Sequence, residues 1–435
     1  MRIFLLITLL TSTLVSKEII SIYAVNTKTG QVLIDENSNL SLQPSSCLKI
    51  VTTAAALHLL GENNRFETNL EYDGTINSKG ELKGNLYIRG GGDPCLGSNR
   101  IAGSLDWQEL LNNWLSAIKT AGIHTIEGVI IADATKWETL RAVPSWEWED
   151  LGNYYGTGAS ALSFHENYYN LTFQPGKTQG APTQILYTEP PLRSLLLENE
   201  VTTGAEGSGD QACVYGSELS SVQQVRGTIP TAVETFTIKG AIPDPAVLVA
   251  ELLTQKLIDQ GISIKNKTKK PKEQRTLIQR FPSPTIQDIV HQTNKKSINL
   301  YAEHLLKKMG EETFKEGSTN AGLKAVAEFL KNQGIDLEGL HMVDGSGLSR
   351  KNLITTKQLV SLLVQMKKSP LFPSFFASLP EAKEGIHAKP GSMSLVKGYT
   401  GYVGEIAFAI LINNCPNRDI ANQKIQEVFT RLKNF

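Results

Sequence analysis

Hydrophobic residues alternate with polar ones from Ile19 to Glu36, "IISIYAVNTKTGQVLIDE", on either side of the turn "NTKTG". A period of two broken by Asn, Lys and Gly predicts a β-hairpin. The pattern then changes. From about Ser46 the chain reads "SCLKIVTTAAALHLL", almost wholly apolar, and predicts a buried helix. Strand-like segments follow over 66–90, "FETNLEYDG" and "GELKGNLYIRGGGDP". "LDWQELLNNWLSAIKTAGI" has a helical period, and "IEGVIIADAT" reads as a buried strand. Residues 150–240 carry short strands among many Gly, Pro and Ser, which predicts a small β-rich unit. Five further segments predict helices: "PDPAVLVAELLTQKLIDQGI", "TIQDIVHQTNKKSINLYAEHLLKKMG" (one or two helices), "TNAGLKAVAEFLKNQGI", "ITTKQLVSLLVQMKKS" and "NQKIQEVFTRLKNF". Between the last two, "IHAKPGSMSLVKGYTGYVGEIAFAILINN" predicts two or three antiparallel strands. A hairpin and helix open the chain, and helices, strands and a final helix close it. One domain built from both ends, with the middle inserted, fits this order.

At 435 residues the chain has room for about three domains. Its 40% hydrophobic and 20% charged residues are those of a globular body. Lys+Arg and Asp+Glu both number 43, so there is no electrostatic footprint for nucleic acid. The one basic run, "KNKTKKPKEQR" at 265–275, reads as a solvated loop, with contact to an anionic envelope polymer as the sharper alternative. The N-terminus has one basic residue, a largely apolar run from Ile3 to Val15, then Ser16 and Lys17. That is the shape of a secretory signal cleaved after Ser16, with an uncleaved anchor as the alternative. The protein is therefore expected outside the cytoplasmic membrane, in the periplasm or cell envelope. Membrane contact is expected only through residues 1–16, if they are retained. Cys47, Cys95, Cys213 and Cys415 form no C-x-x-C pair and no His cluster accompanies them, so no metal site is expected. A Cys95–Cys213 disulfide remains open.

One charge interrupts the apolar helix. Lys49 lies three residues after Ser46 at the helix start, so the two share a face. Pro44 and the serines beside it mark the start, near the positive end of the macrodipole. Burial disfavours the ammonium form. A neutral amine beside a serine hydroxyl is a general base for a nucleophile. The S-x-x-K spacing alone is weak, since Ser116-Lys119 and Ser394-Lys397 repeat it. The first of these sits on an amphipathic helix, and the second in a strand-like stretch where i and i+3 face opposite sides. Two further pieces occur in order: Ser297-Ile298-Asn299 at the mouth of a helix, and Lys389-Pro390-Gly391-Ser392 on a strand. Ser–Lys hydrolases use S-x-x-K, S-x-N and K-T-G in that sequence. The literal Lys28-Thr29-Gly30 precedes Ser46 and reads as a hairpin tip. No G-x-S-x-G elbow is present. Asp344 and Ser346 in "VDGSGLS" read as a structural turn near the site, and His387 as a structural histidine.

With these motifs the chain resembles the D-alanyl-D-alanine carboxypeptidase/endopeptidases of the DacB type, the class C low-molecular-mass penicillin-binding proteins. "PSSCLKIVTTAAAL", "RGGGDPCL", "WEDLGNYYGTGASALSF", "SINLYAEHLL", "DGSGLSRKNLI" and "GYTGYVGEIAFAILINN" carry the resemblance, together with the long gap from Ser46 to Ser297. It implies an α/β (α+β) transpeptidase-like domain, an antiparallel sheet flanked by helices, over 17–66 and 284–435. It further implies an inserted domain over 67–163 and 240–283, and a nested small β-rich domain over 164–239. By the same resemblance Ser46 is the nucleophile, Lys49 its base and Ser297 a proton relay. Asn299, Lys389, Pro390, Gly391 and Ser392 would bind substrate, with the amides of Ser46 and Ser392 as the oxyanion hole. No cofactor is implied. The implied partners are peptidoglycan stem peptides and β-lactam antibiotics. Pro390 departs from the family, which has Thr or Ser there, and puts efficiency in doubt. A β-lactamase or esterase on this scaffold, or a non-catalytic peptidoglycan-binding homologue, are the alternatives.

Overall fold

The computed structural model describes residues 18–267, 270–271 and 274–435. The expected signal segment 1–16 lies outside them, as does part of the basic run 265–275. Of that run, Lys265 pairs with Glu81 and Lys267 with Glu127.

Both ends of the chain meet in one six-stranded sheet. Its strands are β1 (Ile19–Asn26), β2 (Val32–Glu36), β3 (Glu381–Lys383), β4 (Ile386–Met393), β5 (Val396–Val403) and β6 (Ile406–Asn413). The order is β3-β4-β5-β6-β1-β2, and every pairing is antiparallel. The predicted hairpin and the three closing strands are therefore one sheet. Strand β6 is buried throughout. Its alternation serves two cores: Ala407, Ala409 and Leu411 face one, and Ile406, Phe408, Ile410 and Ile412 the other. The second face is closed by the C-terminal helix Arg418–Lys433 through Ile425, Val428 and Phe429.

The first face carries the helices α1 (Lys49–Leu60), α2 (Ile286–Lys295), α3 (Asn299–Phe314), α4 (Thr319–Asn332) and α5 (Thr356–Lys368). Helix α1 is apolar on every side because it is the centre of this layer: all of it but His58 and Leu59 is buried. Helices α2 and α5 start in capping boxes, Thr285/Asp288 and Thr355/Gln358.

The middle of the chain has its own core. A four-stranded sheet, in the order Thr276–Thr285, Arg65–Tyr72, Leu86–Arg89, Ile130–Asp133, packs with the helices Trp107–Thr120 and Pro245–Asp259. The strand expected to be buried in "IEGVIIADAT" is only Ile130–Asp133, half-buried, because it is the edge of this sheet. Two three-stranded sheets occupy 168–241. All four cysteines are free thiols, so Cys95 and Cys213 are not joined.

Helix α3 grips this middle body along its length. His304 donates from Nδ1 to the Gly92 carbonyl (2.7 Å) and accepts at Nε2 from Ser163 (2.9 Å). Burial holds its pKa down to about 3, so it stays a neutral hydrogen-bonding ring. Gly92 sits at φ +90°, and a Cβ there would lie 2.2 Å from the Trp137 ring, which accounts for one glycine of "RGGGDP". Lys307, with a side chain only 1% exposed, bonds Glu138 (3.1 Å) and the carbonyls of Leu140 (2.7 Å) and Ala159 (3.1 Å). Removing one partner of a buried pair strands the other. Lys307→Ala is expected to cost about 3 kcal/mol of stability. Guanidinium unfolding of both proteins checks this, and an unchanged midpoint would show that the contact contributes nothing.

Candidate active site

The chain enters the site through Pro44 and a short 3₁₀ turn, Ser45–Leu48, and the regular helix α1 begins only at Lys49. The polar residues before the helix do not cap it: no side-chain cap is made, and the turn is closed by Cys47 N donating to the Pro44 carbonyl (3.2 Å). Side chains three apart are eclipsed in a 3₁₀ turn, so the tighter geometry brings Ser46 over Lys49. Ser45 pays for the tight entry with a left-handed backbone, φ +44°.

Lys49 is fully buried, and its Nζ meets three oxygens. Ser46 Oγ lies at 3.0 Å, Asn299 Oδ1 at 2.6 Å and the Ser346 carbonyl at 2.7 Å. Burial holds the Lys49 pKa well below an ordinary lysine, and the Lys389 charge pushes it the same way. Asp344 and Glu303 oppose that shift.

The second element is the break between α2 and α3. Ser297 has φ +59°, a left-handed conformation uncommon for serine. Together with Ile298 it re-aims the chain so that α3 starts at Asn299. Asn299 is thereby held at both ends. Its Oδ1 accepts from Lys49, and its Nδ2 donates to the Tyr155 carbonyl of the middle body (2.8 Å).

The third element is β4. Lys389 is buried and donates to Ser297 Oγ (2.9 Å) and to the Pro390 carbonyl (3.0 Å). Its pKa is lowered by burial to about 8. Gly391 passes against the turn that carries Ser46. A Cβ there would lie 2.5 Å from Ser45 Oγ and 2.7 Å from the Pro44 carbonyl, so only glycine lets strand and turn approach this closely. Ala388 N donates to the Pro380 carbonyl (2.9 Å), on the β3 side. Residues 390 and 392 share that direction. Strand β3 pairs only as far as His387, so among the described residues Pro390 and Ser392 face an open edge. Pro390 costs no ladder bond there, and the exposed Ser392 turns its N–H outward.

Lys49 thus meets Ser46 and Asn299, Lys389 meets Ser297, and Gly391 lies against the turn that carries Ser46, with Pro390 and Ser392 beside it on β4. The rival pairs do not join this group: Ser116 and Lys119 are exposed on the helix Trp107–Thr120, and Ser394 is a turn residue whose carbonyl accepts from Arg350. His387 packs on the Phe376 ring at 4.7 Å. The sequence reading put Asp344 and Ser346 in a turn near the site without a role in it, and passed over Glu303. The Ser346 carbonyl touches Lys49 directly, so "VDGSGLS" is more than a nearby turn. Asp344 fixes that loop, accepting from Gly347 N, Ser349 N, Trp146 Nε1 and Asn352 Nδ2. Glu303 is buried one turn beyond Asn299 and accepts from Gly345 N and Ser346 N. The available signal was an acid inside the apolar run "LYAEHLL".

Known proteins carry the same plan. The family model for D-Ala-D-Ala carboxypeptidase 3 (S13) matches residues 7–433. A D-alanyl-D-alanine carboxypeptidase of Actinomadura sp. (strain R39) is 30% identical over 428 residues, covering 90% of this chain and 77% of the relative. The D-alanyl-D-alanine carboxypeptidase DacB of Haemophilus influenzae is 26% identical, covering 92% of this chain and 86% of its own length. The crystal structure of penicillin binding protein 4 from Haemophilus influenzae has the same fold, with a TM-score of 0.77 at 23% identity over 91% of this chain and 90% of that one. With a family match over nearly its whole length and a relative at this identity, the chain belongs to the D-Ala-D-Ala carboxypeptidase 3 (S13) family.

Proposed function

We infer that this chain is a serine DD-peptidase that cleaves D-alanyl peptide bonds of peptidoglycan stem peptides through an acyl-enzyme on Ser46. The observation that carries the reading is the surroundings of Lys49 Nζ. A neutral amine has two N–H groups and one lone pair. Two of the three contacts, Asn299 Oδ1 and the Ser346 carbonyl, are acceptors only. They take the two N–H groups, and the lone pair is left facing the Ser46 hydroxyl.

The steps follow from that arrangement. Ser46 Oγ attacks the carbonyl carbon on the N-terminal side of a D-alanine, and its proton passes to Lys49. The tetrahedral oxyanion lies between the amides of Ser46 and Ser392. As the C–N bond breaks, Ser297 delivers a proton to the departing amine and takes one in turn from Lys49, which becomes neutral again, with Lys389 beside Ser297 supplying positive potential. Asn299 bonds the substrate backbone. Water then attacks the acyl-serine, its proton going to the neutral Lys49, which passes it to Ser46 Oγ as the acyl C–O bond breaks. A β-lactam enters by the same attack and is released slowly. A peptidoglycan substrate fits a location in the periplasm or cell envelope, and the apolar run of residues 1–16 fits an export signal.

Benzylpenicillin is expected to add once, on Ser46, as read by intact mass and peptide mapping. A label on Ser116 or Ser394, or no adduct, overturns the reading, and rapid release of hydrolysed antibiotic would point to a β-lactamase. Lys49→Arg should fold but acylate at least about 100-fold more slowly, because a guanidinium cannot serve as a base.

The acylation rate should also have two pH limbs. It rises as Lys49 loses its proton, at a pH well below that of an exposed lysine because its pKa is lowered. It falls above about 8, where Lys389 loses the charge that faces Ser297 and the substrate. Stopped-flow acylation across pH checks both, and a rate that keeps climbing to high pH would remove Lys389 from the scheme.

Pro390 lacks the hydroxyl that the family places at this point of the substrate edge. Pro390→Thr restores a donor for a terminal carboxylate. A charge-assisted hydrogen bond of about 1.5–3 kcal/mol corresponds to a gain of about ten- to a hundredfold in kcat/KM for release of terminal D-alanine. Cleavage of an internal cross-link should gain less. Equal rates in both proteins would mean that Ser392 already fills the role.

A further inference from the structure

Glu303 is a buried acid, 1% exposed, that among the described residues has no cation in ion-pair contact, though Lys49 and Lys307 feel its charge. Lys307, one turn further along α3, is committed to Glu138. What faces the Glu303 carboxylate is the Gly345–Ser346 stretch: Gly345 N (3.0 Å), Ser346 N (2.8 Å) and the Ser346 side chain. Isolated carboxylates are costly to bury, so this one has to be explained by what it holds.

The loop it holds is the one that faces Lys49. From the other side Thr52 Oγ1, on α1, donates to the Gly345 carbonyl (2.6 Å). The peptide between Gly345 and Ser346 is thus fixed at its carbonyl by α1 and at the flanking amides by α3. Its orientation decides where the next carbonyl points, and that carbonyl, Ser346 O, accepts from Lys49 Nζ. Glu303 also lies on the same face of α3 as Asn299, four residues earlier, which supplies the other acceptor for Lys49. One turn of α3 therefore controls both oxygens that take the N–H groups of Lys49, one directly and one through the loop.

We propose that Glu303 is a positioning residue for acylation: its carboxylate clamps the Gly345 and Ser346 amides so that the Ser346 carbonyl meets the Lys49 amine, and it sets a negative charge beneath that amine. The proposal rests on Lys49 being the base for Ser46. The charged and titratable groups around Lys49 are Glu303 on α3, Asp344 on the loop, Lys389 on β4 and the Cys47 thiol on the 3₁₀ turn. Asp344 already accepts from four donors within and around its own loop, so it shapes the loop, while Glu303 ties the loop to α3. Burial, and then the charge of Asp344, push the Glu303 carboxyl up to about 7. It is thus ionised over the upper part of the working pH range, and there it favours the protonated form of Lys49.

The sign of the test follows. In Glu303→Gln the negative charge is gone and one oxygen still accepts from the loop. Lys49 should then lose its proton more easily, so the acid limb of benzylpenicillin acylation should move to lower pH by about one unit. The plateau should fall by no more than about tenfold. In Glu303→Asp the charge stays but the reach to both amides is lost. The plateau should fall by about tenfold or more, with the acid limb close to its wild-type position. Both profiles are read by stopped-flow on the full chain, beside the melting temperature of each variant. A uniform loss at every pH in the glutamine variant, with the limb unmoved, would reduce Glu303 to a structural residue and overturn the proposal. Should the glutamine variant fail to fold, a wild-type plateau in Glu303→Asp overturns it equally. If the wild type forms no Ser46 adduct at any pH, the DD-peptidase reading falls with it, whereas a normal wild-type profile beside an unmoved variant limb sinks only the role of Glu303.

Discussion

The structure turns on a lysine amine buried without a carboxylate in contact. Taking an ammonium out of water is expensive unless it is paired, and an unpaired amine answers by giving up its proton. Lys49 is placed to do so. Its hydrogen-bonding partners are a hydroxyl, a side-chain amide oxygen and a backbone carbonyl, and the nearest charges of both signs stand one layer back. The apolar helix α1 is what makes this possible. Nearly every position of the helix is buried, so the amine is held among apolar groups.

Three separate stretches of chain have to arrive at that amine, and each is delivered by a local departure from regular structure. Ser46 stands on a 3₁₀ turn entered through a left-handed Ser45. Ser297 is itself left-handed, at the break between α2 and α3. Lys389 lies on a strand that comes close to the turn only because residue 391 has no side chain. Such conformations persist where surrounding packing fixes them, and they gather at sites where groups must be held in one geometry. Here the packing is supplied by the six-stranded sheet and by the helices over its first face.

Helix α3 ties the chemistry to the rest of the molecule. Its first turn carries Asn299, which joins Lys49 to Tyr155 of the middle body. Further along, His304 and Lys307 bond backbone carbonyls and side chains of that same body. The inserted part of the chain is therefore in contact with the site at its centre, and a shift of the middle body would be felt at Asn299. This explains why a helix with so many polar residues is buried over most of its length.

Much of the plan was legible in the sequence. The hairpin follows from a period of two, and the apolar helix and the last strand from unbroken apolar runs, and both signals report local burial. The ordered motifs around Ser46, Ser297 and Lys389 picked out residues that the fold does bring together, because each combines a residue type with a particular backbone setting. The two spare S-x-x-K pairs stand apart from that group: Ser116 and Lys119 are exposed on their helix, and Ser394 lies in the turn before the strand that carries Lys397. Only the tertiary structure decided what lies around the amine. Ser346 acts through its carbonyl, and a carbonyl is common to every residue, so no side-chain pattern announces it. Glu303 and Asp344 matter through the backbone amides they hold, which periodicity does not encode. Whether the edge that residues 390 and 392 face is open depends on where β3 stops pairing, a property of the sheet and not of the strand. Sequence determined which groups are available; the fold decided which oxygen each N–H would meet.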